Sequence, residues 1–217
     1  MGVSREEAAR NREKILATAE QLFREKGVDA VGLSELMHEA GFTQGGFYNH
    51  FVSKEALVSE VVGNAMAEGR QQLAAAVAQP RSAARDPLTR QIEWYLSEAQ
   101  RDNVACGCPM AGFATEVPHL SEKAQTYYTE ALEQTFDKMA EMFMEKDSKL
   151  TLRRARSRAI SLFSHMVGTV LLSRAVSAKN PPLADEILEH SRSGMLAELE
   201  KSPKPRAVSK RQRTGAA

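Results

Sequence analysis

The chain has 217 residues, 42% of them hydrophobic and 26% charged, which is the balance of a globular protein with room for one large domain or a small one fused to a larger. Lys and Arg number 29 against 28 Asp and Glu, a near-neutral balance that excludes a strongly basic chain. No uninterrupted apolar run reaches the roughly 18 residues of a membrane span and no apolar leader core opens the chain, so the expectation is a cytoplasmic protein with no membrane partner.

Ser4 and Glu7 form a capping-box signature. The helix that follows carries Ile15, Leu16, Ala19, Leu22 and Phe23 on one face and ends at Gly27. A short helix from Leu33 to Ala40, opened by Gly32, stops at Gly41. Thr43 stands as the N-cap of a second short helix, with Phe47 and Phe51 on its packing face. Two short helices joined by a tight Gly-containing turn describe a helix-turn-helix, although an ordinary αα-corner shares the spacing. In the DNA-binding form the second helix presents its N-terminal residues to base edges in the major groove. Gly45 and Gly46 each cost a helix about 1 kcal/mol relative to Ala, a cost that makes sense where phosphate or base edges approach the backbone. Tyr48, Asn49 and His50 add donors for phosphates or bases. Ser53 and Lys54 suit the cap and first turn of the next helix.

That next helix spans about 54–78, with Leu57, Val58, Val61, Val62 and Met66 at helical spacing. Pro80 and Pro87 bracket a linker, and one helix is expected over 88–103. Gly107, Pro109, Gly112 and Pro118 break the pattern. Helices then follow over about 121–145, 150–178 and, after Pro181-Pro182, to about 199. Neither a β-type alternation nor an internal repeat is visible, so the fold class is all-α. The boundaries are a DNA-binding domain over 1–55, a helical domain over 56–200 and a tail over 201–217. The tail holds six basic residues and no acid; it reads as disordered, and adds non-specific DNA affinity or serves solubility.

The segment Ala40-Gly-Phe-Thr-Gln-Gly-Gly-Phe-Tyr-Asn-His-Phe-Val-Ser-Lys-Glu-Ala-Leu57 resembles the DNA-binding segment of the TetR family of transcriptional regulators. Arg12-Glu-Lys-Ile-Leu-Ala-Thr-Ala-Glu-Gln-Leu-Phe-Arg-Glu-Lys-Gly27 is similar to that family's first helix; Gly32 departs from the family's usual Ser or Thr cap. The resemblance implies a homodimeric repressor that binds double-stranded DNA at a near-palindromic operator and leaves it when an inducer binds. It points to Arg12, Thr43, Gln44, Gly45, Gly46, Tyr48, Asn49, His50 and Lys54 as DNA-binding residues. Within residues 1–60 there are 7 basic and 10 acidic side chains, so Arg12, Lys54 and helix N-termini must supply the local positive field.

Residues 159–176 are apolar over more than one face, and such a helix must be buried. With Ile187, Leu188, Met195, Leu196 and Leu199 it makes either a dimer bundle or intramolecular core. If the resemblance extends to the middle helices, they enclose a ligand cavity. The candidate lining is Met66, Trp94, Met110, Phe113, Tyr127, Tyr128, Phe163, His165 and Met166, side chains of the type that line pockets and, as often, plain core.

Cys106 and Cys108 share one Gly/Pro-broken loop beside the start of a helix. Thiols placed there are the more reactive ones. Gly107-Cys108 followed by Ala114-Thr-Glu-Val and Leu120-Ser-Glu resembles the branch of the family that senses electrophiles such as N-ethylmaleimide, with Cys108 at the sensing position. The lysine that partners the thiol in that branch falls near Arg174 here, which cannot form the same S–N bond. Three readings stand: an oxidation or alkylation switch, small buried hydrophobes in a pocket wall, or a metal site with His119. One intervening residue is fewer than paired zinc cysteines prefer; no metal or other cofactor is expected. No catalytic triad, paired-carboxylate or phosphate-loop signature marks an enzyme. A helical small-molecule binder or enzyme using the same cavity, or a partner-binding scaffold, are the alternatives.

Overall fold

The computed structural model describes residues 4–78 and 86–201. The expected linker between Pro80 and Pro87 lies almost wholly outside them, as does all of the basic tail beyond Lys201. Among the described residues every regular element is helical. The chain runs α1 (Arg5–Lys26), α2 (Leu33–Glu39), a 3-10 segment (Gln44–Asn49), α3 (Lys54–Ala78), α4 (Pro87–Tyr95), α5 (Glu98–Asp102), α6 (Pro109–Phe113), a 3-10 turn (Val117–His119), α7 (Glu122–Lys146), α8 (Leu152–Ser177) and α9 (Pro181–Glu200).

Caps fix most boundaries. Ser4 Oγ accepts the Glu7 amide at 3.1 Å, and α1 stops at Gly27, whose φ of +87° only glycine adopts readily. Asp86 caps α4, accepting the Leu88 amide at 3.1 Å, and its other oxygen takes the Lys146 ammonium of α7 at 3.0 Å. The single helix expected over 88–103 is two. Leu96 leaves helical geometry and Ser97 turns extended, its hydroxyl donating to Trp94 O and receiving the Gln100 amide. A serine whose side chain bonds local backbone competes with helix continuation. The short α6, in a segment read only as broken, starts on Pro109 at its first position.

The buried side chains run without a break from the first helices to the last. Ile15, Phe23, Leu36, Met37 and Phe47 fill the N-terminal unit; Leu57, Val61, Val62 and Met66 of α3 carry the core into Leu88, Ile92, Phe113, Met139 and Phe163. α7 and α8 pack side by side, with α9 against α8.

α8 is only partly covered within one chain. It is long and apolar enough to cross a membrane, with a best 18-residue window of mean hydropathy 1.4, yet only 33% of that window is buried. One line of the helix faces outward: Ile160 (41% exposed), Ser164, Gly168 and Leu172 (63% exposed), each four residues after the last.

Candidate DNA-reading face and thiol cavity

Gly41 makes the turn after α2, with φ of +81°, and Phe42 N closes it on Met37 O at 2.7 Å. The element that follows is a 3-10 segment rather than the α-helix expected from Thr43. Thr43 makes no side-chain cap; its carbonyl accepts the Gly46 amide at 3.0 Å. Two consecutive glycines give too little helical preference to hold the wider winding. The packing side is as expected: Phe47 and Phe51 are buried, their rings stacked with centroids 5.6 Å apart.

The opposite side is open. Thr43, Gln44, Gly45, Tyr48 and Asn49 are exposed, and Gly46 and His50 half-buried. Tyr48 is 68% exposed, edge-on to Phe47. Val52, not singled out by the sequence, is 87% exposed beside them. The two expected phosphate cations are otherwise engaged. The Arg12 guanidinium makes a two-pronged ion pair with Glu60 and lies 4.6 Å over the Phe51 ring; the hydrogen bonds it donates to the Glu60 carboxylate raise its pKa above the ordinary arginine value. Lys54 Nζ donates to Val28 O at 2.7 Å, tying α3 to the α1–α2 loop. Lys14, exposed and 5.5 Å from the Phe42 ring, is the cation beside the turn. Its signal in the sequence was the spacing of Arg10 and Lys14 along one side of α1.

In the second unit a narrow apolar cleft opens between α3, α4, α6 and α8. Met66, Trp94, Met110 and Phe163 line it as expected, joined by Leu73, Tyr95, Cys108 and Pro109. The other expected residues do not. Phe113 and Met166 are fully buried core. Tyr127 packs on Gly63, and Tyr128 is half-buried with its hydroxyl donating to Met110 O at 2.9 Å. His165 is exposed on the outer side of α8, in a different cleft with Arg158, Met195 and Glu198. The buried phase of α8 runs through Ala155, Ala159, Phe163, Met166 and Val170, and position 165 lies about 200° round from 163.

Tyr95 of α4 is buried with a hydroxyl that has no hydrogen-bond partner. It sits beside Cys108 and Arg174; burial, then the neighbouring Cys108, push its pKa well above the tyrosine value, so it stays a proton donor. Burial and the same thiol push Tyr128 up to about 12. Cys108 is half-buried and faces this apolar cleft, whereas exposed Cys106 opens on a polar one lined by Glu20, Gln21, Arg24 and Glu68. His119 is exposed in a third cleft with Val28 and Lys54. The two cysteines and His119 therefore line three different clefts and are not brought together.

Residues 15–61 match the model of the tetR family of bacterial regulatory proteins, over the same two helices, turn and α3 start that form the open face. The N-terminal part of the chain is thus similar to the tetR family of regulators. A helix-turn-helix regulator encoded in the lacX 3′ region of Lactococcus lactis is 24% identical over 172 residues, spanning 78% of this chain and 86% of that protein. The transcriptional repressor NemR of Escherichia coli is 32% identical over 111 residues, which is 51% of this chain and 56% of NemR. The crystal structure of reduced E. coli NemR superposes with a TM-score of 0.68 at 22% identity, over 85% of this chain and 94% of that one. The chain thus shares its fold with a solved regulator, and its relatives are named for transcription rather than for catalysis.

Proposed function

We propose that this TetR-like regulator acts as a repressor: a homodimer that holds a near-palindromic DNA operator through the outward side of residues 43–50. The observation that carries the reading is that side itself. Its packing aromatics are buried, while Thr43, Gln44, Tyr48 and Asn49 stand free for phosphates and base edges. Lys14 is better placed than Arg12 to meet a phosphate, since Arg12 is neutralised by Glu60. The outward line of α8, Ile160, Ser164, Gly168 and Leu172, with α9 beside it, supports the twofold pairing, because apolar surface left open on one chain is covered by its copy.

The signal enters at the cleft. An apolar molecule accepting a hydrogen bond satisfies the Tyr95 hydroxyl. An electrophile reacts with Cys108: its sulfur adds to the electron-poor carbon, and the thiol proton ends on the neighbouring carbon with nothing leaving. Either shifts the dimer toward a spacing that no longer fits two successive major grooves. The experiment is a mobility shift on the DNA upstream of the protein's own gene, before and after N-ethylmaleimide or peroxide. Binding that is lost on treatment in the wild type and kept in Cys108→Ser supports the thiol reading. Binding that ignores both reagents moves the signal to a reversible ligand of the Tyr95 cleft, and no binding to any selected duplex overturns the repressor.

A further inference from the structure

The loop carrying the two cysteines is gripped by two arginines that come from opposite ends of the chain. Arg24, on α1 of the DNA-reading unit, is buried despite its charge; its Nη1 meets Glu20 at 2.8 Å and its Nη2 donates to the carbonyl of Gly107, 83 residues away. Arg174, near the end of α8, donates from Nε to Arg101 O and from Nη2 to Gln100 O, both at 2.8 Å, and so holds the α5 turn from which the loop departs. Gly107 lies between them. A Cβ there would overlap Asn103 O and stand 2.8 Å from Arg174 Nη2. On the next residue but one, Pro109 Cγ presses onto α3, 2.5 Å from where Gly69 would carry a Cβ. The loop has no slack in these directions, and close-packed neighbours pass a displacement on rather than absorbing it.

We propose that Arg24 is the positioning residue through which a change at Cys108 reaches the DNA-reading helices, with Arg174 fixing the other side of the loop. Cys108 follows the residue whose carbonyl Arg24 holds. A group added to its sulfur, or a ligand pressing on Pro109, moves Gly107, and Gly107 carries Arg24 with it. Arg24 follows Leu22 and Phe23, which are buried in the core that also seats Leu36 and Phe47. A second tie runs in parallel, from Glu116 to the Val28 amide at 2.9 Å. This inference rests on the repressor reading given above, but not on thiol chemistry as the physiological signal.

The test is a double-mutant cycle on the full chain, read as Kd for a duplex that the wild type selects from random DNA. Gly107→Ala forces the loop to move and is expected to raise Kd at least about tenfold with no reagent present, with helical content and dimer elution unchanged. In an Arg24→Gln background the same change is expected to cost less than about threefold, because its route to α1 is gone. Arg174→Lys, which loosens the grip without adding bulk, gives a second cycle with the same expected pattern. Equal fold losses in both backgrounds are what independent structural roles produce, and they overturn the proposal. So does Gly107→Ala binding within about threefold of wild type. If N-ethylmaleimide leaves wild-type affinity unchanged while the cycle shows the expected interaction, the clamp stands and thiol sensing falls.

Discussion

A methyl group built at Gly45 meets no atom of this protein within 4 Å, and the residue does not need positive φ. Neither backbone geometry nor internal packing therefore requires glycine there. Alanine at such a position stabilises a free protein by about 0.4–1 kcal/mol, chiefly by restricting the unfolded chain. Gly45→Ala is expected to raise Tm slightly and, on the proposed reading face, to weaken operator binding, the two effects separating if the missing side chain leaves room for DNA. Thermal melts and Kd on the same preparation check this; unchanged affinity would leave the glycine without a DNA role. Tyr48 and Lys54 divide in another way. Tyr48→Phe, at an exposed hydroxyl, should weaken DNA binding with Tm unchanged. Lys54→Ala also breaks the bond to Val28 O, so it should cost about 1 kcal/mol of stability as well.

At the scale of elements, the capping residues and the Phe47/Phe51 pair were plain in the sequence because each acts within a few residues of itself. The 3-10 winding of residues 44–49 was not, since two glycines lower helical preference without saying what replaces it. His165 was misplaced because a helix apolar on several sides leaves its buried phase undetermined until α7 and α9 choose it. Arg24 carried little local sign: its burial is made by Gly107, far along the chain, and only the odd charge beside Leu22 and Phe23 hinted at it. The start of α4 offers a test of local reasoning. Burial opposes ionisation of Asp86, but hydrogen bonds from Lys146 and Thr89 outweigh it and hold the carboxyl below its ordinary value. A lowered acid gives stability that is present at neutral pH and lost as pH falls below about 3.9 and through the folded value. Asp86→Ala should cost about 1 kcal/mol at neutral pH through the lost cap. Asp86→Asn, which still caps, should cost less, and its melting curve should converge on the wild type's in acid. A gap that persists at low pH would remove the ion pair from the account.

For the whole molecule, the DNA-reading unit cannot lean on charge. Residues 1–60 hold 10 acids against 7 bases, and the ion pairs of Arg12 with Glu60 and of Lys26 with Glu35 use two of those bases internally. One unit alone then gathers few phosphates, and a useful affinity depends on two units presented at a fixed spacing. On the proposed pairing, the outward line of α8 is then a condition for DNA binding, although it touches no DNA. Leu172→Glu puts a charge where an apolar side chain stands 63% exposed on one chain. A lone chain tolerates this, since an exposed charge is solvated, whereas a face pressed against its copy does not. The variant is expected to elute as a monomer with its helical content intact, and to lose specific binding far more than non-specific binding. The salt dependence separates the two: each phosphate that is no longer neutralised lowers the slope of log Kd against log salt by about 0.9, so release of one half-site should flatten the slope to roughly half the wild-type value. A variant that remains dimeric, or a monomer whose affinity and slope match the wild type, would mean that α8 is not the surface that sets the spacing.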